Sequence, residues 1–85
     1  MQRDAFRDWA TGQGGLNEAT ARSHLGHLTE VERLLGIDLD DDWTRTKLNH
    51  TADLIARNDT LNQKTKADYR QSLKTYEEFR SLTSA

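Results

Sequence analysis

The sequence predicts an all-α fold, a small four-helix bundle built from two helix-loop-helix repeats. Three observations predict it. Apolar residues recur at i, i+3 and i+4 spacing over four stretches, glycine or asparagine stands at the ends of these stretches, and no proline interrupts them. The chain has 85 residues and no cysteine, so we expect a single helical domain over 1–85 whose core is near the lower limit for folding without disulfides or metals.

An internal repeat with an offset of 45 residues supports this architecture. Residues 16–20 (LNEAT) return as residues 61–65 (LNQKT). The correspondence continues through the pairs His24/Tyr69, Leu28/Leu73, Val31/Tyr76, Glu32/Glu77 and Leu34/Phe79. Because the repeating unit is a loop, a helix cap and an amphipathic helix, it predicts architecture rather than activity.

The first repeat contains two helices. The first is expected at about 3–11, where Phe6, Trp9 and Ala10 share one face and a glycine-rich loop over 12–15 ends the helix. The second is expected at about 17–35, because the side chain of Asn17 can accept from the free N–H groups of a first turn. Its apolar stripe consists of Ala21, His24, Leu28, Val31 and Leu35, and Gly36 ends it.

The second repeat begins after a connector, Ile37-Asp38-Leu39, whose two aliphatic side chains we expect to dock into the core. A third helix is expected at about 42–58, with Leu48, Ala52 and Ile55 on one stripe and Leu54 beside it. Asn62 is expected to cap a fourth helix at about 62–81. The inward face of that helix consists of Tyr69, Leu73, Tyr76 and Phe79.

The charge distribution limits the classes of partner. The formal net charge of −2 is unlike the basic excess of a strongly electrostatic nucleic-acid binder. Residues 1–40 hold four Arg against seven acidic residues, whereas residues 41–85 hold eight Lys and Arg against seven, so any polyanion site is expected in the second half. No signal peptide or long apolar run is present, which favours a soluble cytoplasmic protein without membrane contact.

One acidic pattern resembles a calcium loop but is incomplete. Asp38-x-Asp40-x-Asp42 matches the first half of an EF-hand loop. Trp43 and Asn49 stand where that loop requires glycine and a bidentate glutamate. An acidic helix N-terminus is the better interpretation.

The histidines and hydroxyl residues carry no motif of a metal site or a catalytic centre. His24, His27 and His50 follow no zinc-ligand spacing, so we expect His24 at the edge of the core and His27 exposed. No strained turn presents a serine nucleophile. The sequence therefore predicts no metal, no cofactor, no small-molecule substrate and no enzymatic activity.

A basic stripe on the fourth helix is the strongest candidate site. Lys66, Arg70 and Lys74 recur every four residues, with Lys64 and Thr65 in the first turn. Like charges at this spacing repel one another, and a polyanion would relieve the repulsion. Thr65 and the N–H groups after Asn62 could add phosphate contacts at the positive end of the helix. The alternative is an ordinary solvated face on which Lys74 pairs with Glu78 and Lys64 with Asp68.

Both repeats contain residues that resemble a known family. Phe6-x-x-Trp9, a glycine loop and Leu16-Asn17-x-x-Thr20 opening a helix resemble the core-binding (SAM-like) domain of tyrosine recombinases, the phage integrase family. Residues 61–70 (LNQKTKADYR) resemble it more closely. The resemblance implies a small helical bundle that clamps one face of duplex DNA, with Lys64, Thr65, Lys66 and Arg70 facing phosphates. The chain departs from the family in being acidic and in lacking the catalytic domain, so we do not expect it to recombine DNA.

Three functional interpretations follow. The first is a DNA-associated binding module without catalytic activity. The second is a small adaptor or inhibitor, of the kind encoded by phages or mobile elements, whose acidic surface binds a basic surface of a protein partner. That surface would consist of Asp38, Asp40, Asp41, Asp42 and Trp43. The third is a regulatory domain of a larger protein. DNA sequence preference and oligomeric state do not follow from the sequence.

Overall fold

The computed structural model describes residues 1–40 and 45–83, which form four α-helices and no strand. Helix α1 spans Arg3–Thr11, α2 spans Glu18–Leu35, α3 spans Arg45–Ala56 and α4 spans Gln63–Thr83. The predicted all-α bundle is confirmed. The predicted start of the third helix, at residue 42, lies outside the described residues.

The two predicted asparagine caps are confirmed and have matching geometry. The Asn17 side-chain oxygen accepts from the Thr20 N–H at 2.7 Å, and the Asn62 oxygen accepts from the Thr65 N–H at 2.8 Å. Each bond satisfies a donor that the first helical turn would otherwise leave without a partner. The repeat of 45 residues therefore repeats a structural element as well as a sequence.

Glycine ends α1 and α2, as predicted, for two different reasons. Gly36 adopts a left-handed conformation with φ of 64°, which closes α2 through bonds from its N–H and that of Ile37 to the Glu32 carbonyl. After α1, the chain passes close to the end of its own helix. A Cβ atom at Gly14 would lie 2.9 Å from the Ala10 carbonyl oxygen, so this approach requires glycine.

Helix α3 ends at Ala56, two residues before the predicted end at Asn58. The Asn58 N–H donates to the Ile55 carbonyl, which tightens the last turn. The Asn58 side-chain oxygen accepts from the Thr60 N–H at 2.9 Å and starts the connection to α4. Asparagine favours this local bond over continued helix, which explains the earlier end.

Helix α4 lies at the centre of the bundle and packs against the other three helices. Its buried residues Leu73, Tyr76 and Phe79 join a core supplied by every helix and by the 36–40 connector. The other buried apolar residues are Phe6, Ala10, Ala21, Leu25, Leu28, Val31, Leu39, Leu48 and Ile55. The predicted docking of the connector is confirmed, since Leu39 is buried and Ile37 packs against the core.

The predicted repeat pairs agree in burial at two central positions and differ at the last one. Leu28 and Leu73 are both buried, as are Val31 and Tyr76. The last predicted pair differs, because Phe79 is buried and Leu34 is 37% exposed. The C-terminal half of α4 packs in the aromatic cluster beside α1, whereas Leu34 lies outside the core.

The observed burial differs from the predicted pattern at three positions, and at His27 the expected exposure was wrong. Leu54, placed beside the stripe of α3, is exposed. Leu25 is buried although it lies outside the predicted stripe of α2, because α2 packs against both α1 and α4 and therefore buries a wider sector. His27 is half-buried rather than exposed, and its Nδ1 lies 2.8 Å from the Ser72 hydroxyl oxygen.

Candidate nucleic-acid interface

The outer face of α4 carries three of the four cations that the sequence singled out. Ser72, Leu73, Tyr76 and Phe79 point into the bundle. The helical period places Arg70 and Lys74 on the opposite face, and both side chains are exposed. Lys64 is also exposed, in the first turn of α4. We define the α4 cation surface as Lys64, Arg70 and Lys74.

These three cations make no ion pair with any residue in the described ranges. The other described Lys and Arg side chains all have partners within the chain. Five arginines pair with carboxylates, in Arg7–Glu18, Arg22–Glu18, Arg33–Glu30, Arg57–Asp53 and Arg80–Asp40. Arg3 donates to Thr29, and Lys47 and Lys66 donate to backbone carbonyls. The α4 cation surface therefore differs from the other described Lys and Arg side chains in having no ion-pair or hydrogen-bond partner among the described residues.

The alternative of a solvated face with its own ion pairs does not match the described contacts. Neither Lys74 and Glu78 nor Lys64 and Asp68 form a salt bridge within the parts of the chain that the structure describes. Glu77 and Glu78 instead line an open groove along the C-terminal half of α4, together with Lys74. Acidic residues thus limit the cation surface at its C-terminal end.

Lys66 does not belong to this surface. Its side chain is only 9% exposed, and its Nζ donates to the Ala56 carbonyl oxygen at 3.0 Å. Ala56 is the last residue of α3, where free carbonyls and the helix dipole favour a cation. Lys66 therefore closes the end of α3 and joins it to the first turn of α4.

Thr65 offers fewer groups for a phosphate contact than the sequence indicated. Its side chain is half-buried, and its N–H already donates to the Asn62 cap. The backbone donors still available at this helix start are therefore fewer than those of an uncapped helix.

Replacing Lys66 with methionine tests whether Lys66 stabilises the end of α3 rather than belonging to the α4 cation surface. Methionine keeps the apolar stem but removes the bond to Ala56, so Lys66→Met should lower the free energy of unfolding by about 1 kcal/mol. Lys64→Met, at the exposed position, is the matched control and should leave stability unchanged. Urea denaturation measures both. If Lys66→Met costs no stability but weakens DNA binding, Lys66 belongs to the interface after all.

The predicted acidic surface is only partly described. Asp41, Asp42 and Trp43 lie outside the described residues. Asp38 is exposed, and its carboxylate accepts from the Met1 ammonium at 2.7 Å. This hydrogen bond, with a second from the Asp40 N–H, lowers the pKa of Asp38 below its ordinary value.

Asp40 is half-buried and belongs to a network that the sequence did not predict. Its Oδ1 accepts from the Tyr76 hydroxyl at 2.8 Å and lies 3.5 Å from the Arg80 Nε. The Tyr76 oxygen in turn accepts from the Gln2 N–H at 3.0 Å. Asp38 and Asp40 thus have intramolecular partners that a protein partner would have to displace or share.

Within residues 1–40 and 45–83, no group of three or more His, Asp or Glu side chains is placed to hold a metal ion. The same residues include no helix that is both long enough and apolar enough to cross a bilayer. No family model matches the chain, and no curated protein or solved structure matches it either. Function is therefore inferred from the geometry of this surface.

Proposed function

We propose that the chain is a DNA-associated binding module without catalytic activity, which contacts the phosphates of duplex DNA through the α4 cation surface. One observation supports the proposal above all others. Lys64, Arg70 and Lys74 are exposed and have no ion-pair partner in the described chain, whereas the other described cations have intramolecular partners.

The electrostatic argument concerns local rather than total charge. An exposed cation already paired with a carboxylate gains little from a phosphate, because binding must first break or share the existing pair. An unpaired cation keeps its full attraction and releases a condensed counterion from the DNA. A net charge of −2 weakens the long-range attraction to DNA, but it does not remove the short-range attraction between an unpaired cation and a phosphate.

The rigidity of α4 also favours a binding surface. The helix is held by the Asn62 cap, by the Lys66 bond to α3 and by packing against the three other helices. Arg70 and Lys74 therefore project from a fixed backbone, one turn apart. Less conformational entropy is lost on binding when the binding groups are positioned in advance.

The salt dependence of duplex binding tests the proposal. Three phosphate contacts predict a slope of about −2.7 for log affinity against log salt, hence a loss of about 40-fold between about 50 and 200 mM salt. The variant Arg70→Gln/Lys74→Gln should reduce the slope to about −0.9. Fluorescence anisotropy of a labelled duplex measures these slopes.

The matched control is Arg22→Gln/Arg33→Gln on α2. It removes the same charge, but from exposed arginines that are paired with Glu18 and Glu30. It should bind DNA with the slope of the parent chain. If both double variants weaken binding equally, net charge rather than the α4 cation surface is responsible. If the parent chain does not bind even at low salt, the DNA proposal is wrong and the acidic adaptor becomes the working interpretation.

A further inference from the structure

A buried hydroxyl joins α2 to α4 between two histidines. Ser72 of α4 is fully buried, and its Oγ lies 2.7 Å from the His24 Nδ1 and 2.8 Å from the His27 Nδ1. Both histidines are half-buried on α2, with ring centroids 6.5 Å apart. Because Ser72 has no exposed surface, this cluster cannot present a nucleophile to a substrate. It is a structural joint between two helices.

The hydroxyl has only one proton, and this determines the protonation of both rings. A serine hydroxyl donates one hydrogen bond and accepts up to two. When both rings are neutral, Ser72 can donate to the Nδ1 of one ring only. The other ring must carry its proton on Nδ1 and donate to the Ser72 oxygen. The two neutral histidines are therefore opposite tautomers.

The first and second added protons then have different consequences. The first binds the free Nε2 of the ring that already carries Nδ1–H, and no hydrogen bond of the joint changes. The second must bind the Nδ1 that accepts from Ser72. Both rings then donate to one oxygen, the hydroxyl proton loses its acceptor, and two positive charges lie close together. The second proton alone disrupts the joint.

The charged surroundings do not offset this cost. From α4, the joint is faced by Tyr69, whose ring centroid is 5.7 Å from that of His27, and the half-buried Asp68 lies one turn before Ser72. From α1, Arg3 and Arg7 reach α2 at Thr29 and Glu18. On α2 itself, Glu30 is bound to Arg33. Within the described chain, neither ring has a carboxylate within ion-pair distance to stabilise an imidazolium.

We propose that His24, His27 and Ser72 form an acid-sensitive joint, which tolerates one added proton and loosens the packing of α2 against α4 when it binds a second. Burial, and secondarily the positive charge of His27, lowers the pKa of His24 below its ordinary value of 6.5. The unfolded chain then binds a proton at pH values where the folded chain does not. Stability therefore falls as the pH drops from 6.5 through the lower folded value.

Asp38 and the Met1 ammonium affect the stability of the fold in other pH ranges. The pKa of Asp38 is lowered from 3.8, so its contribution is lost only at more acidic pH, as the pH falls through the folded value. Burial alone would lower the pKa of the Met1 ammonium, but bonds to Asp38 and Glu32 outweigh burial and raise it above 8.0. Its contribution is present below 8.0 and is lost as the pH rises through the folded value. Changes in stability between about pH 5 and 7 therefore report on the protonation of the joint.

An NMR titration of the histidine rings of the parent chain tests the proposal without any variant. Rings that share Ser72 should take up two protons in separate steps, and the contact between His27 and Tyr69 should weaken in the second step. His50, exposed on α3, is the internal comparison. Uptake of both protons in a single step, with the contact between α2 and α4 intact, would overturn the proposal.

The variant His24→Asn provides a second readout. An asparagine amide can still bond to Ser72 but cannot bind a proton in this range. The unfolding equilibrium constant of the parent chain should rise by about tenfold on acidification for each pH unit by which the folded pKa is lowered. His24→Asn should lose much of this rise, and the control His50→Asn should retain it. An equal rise in the parent chain and in His24→Asn would contradict the proposed joint.

Discussion

Replacing Phe6 with alanine should lower the free energy of unfolding by about 3–5 kcal/mol, the largest single-residue effect that we expect in this chain. Phe6 is fully buried, with ring centroids 5.4 Å from Tyr76, 5.5 Å from Phe79 and 5.9 Å from Trp9. These rings join α1 to α4. The substitution removes apolar surface from the core and also leaves a cavity that the surrounding helices cannot fill.

Equilibrium urea denaturation, followed by far-UV circular dichroism, measures this loss. Small domains have total stabilities of about 5–15 kcal/mol, so Phe6→Ala should be close to the limit of folding. Phe6→Leu keeps much of the side-chain volume and should show a smaller loss in the same direction. Leu82→Ala, at a 63% exposed position, is the control and should change stability by less than about 0.5 kcal/mol. Equal losses for Phe6→Ala and Leu82→Ala would contradict the proposed core.

The sequence predicted those parts of the fold that depend on local chemistry. Asn17 and Asn62 cap helices because their side chains reach the first turn, and Gly36 ends a helix because it adopts positive φ. The apolar period identified most of the core, Phe6 and Tyr76 among it. These features depend on near neighbours in the chain, which the sequence displays directly.

The sequence predicted less where burial depends on which helix lies opposite. Leu54 is apolar and exposed, whereas Ser72 is polar and fully buried, because the His24 and His27 rings of α2 supply its hydrogen-bond partners. From residue type alone, Leu54 would be predicted to be buried and Ser72 to be exposed. The spacing of Ser72 from Tyr69 and Tyr76 on one helical face was the available signal for its burial.

The sequence indicated which helix carries the candidate site, but not which cations of that helix belong to it. Lys66, Arg70 and Lys74 have the same four-residue spacing, yet Lys66 turns to the end of α3 and the other two remain exposed. A long lysine side chain can pack against the protein or extend into solvent, because its stem is apolar and its end is charged. The Ala56 carbonyl lies within reach of Lys66, and this contact distinguishes Lys66 from Arg70 and Lys74.

The Tyr76 hydroxyl connects three segments that are distant in sequence. It accepts from the Gln2 N–H just before α1 and donates to Asp40 in the connector, while its ring packs in the core. Burial, as the largest cause, raises the pKa of Tyr76 well above its usual range, so the hydroxyl stays protonated and remains a donor to the carboxylate. The network holds the start of α1 and the connector against α4.

Replacing Tyr76 with phenylalanine should therefore lower the free energy of unfolding by about 1–3 kcal/mol, because the Gln2 N–H and the Asp40 carboxylate each lose a partner. Tyr69→Phe removes the same atom from a half-buried tyrosine whose hydroxyl has no hydrogen-bond partner among the described residues, so it should be nearly neutral. A double-mutant cycle with Asp40→Asn, measured by urea denaturation, should give a coupling of about 0.5–3 kcal/mol. A Tyr76→Phe variant as stable as Tyr69→Phe, with no coupling to Asp40, would show that the aromatic packing alone joins these segments.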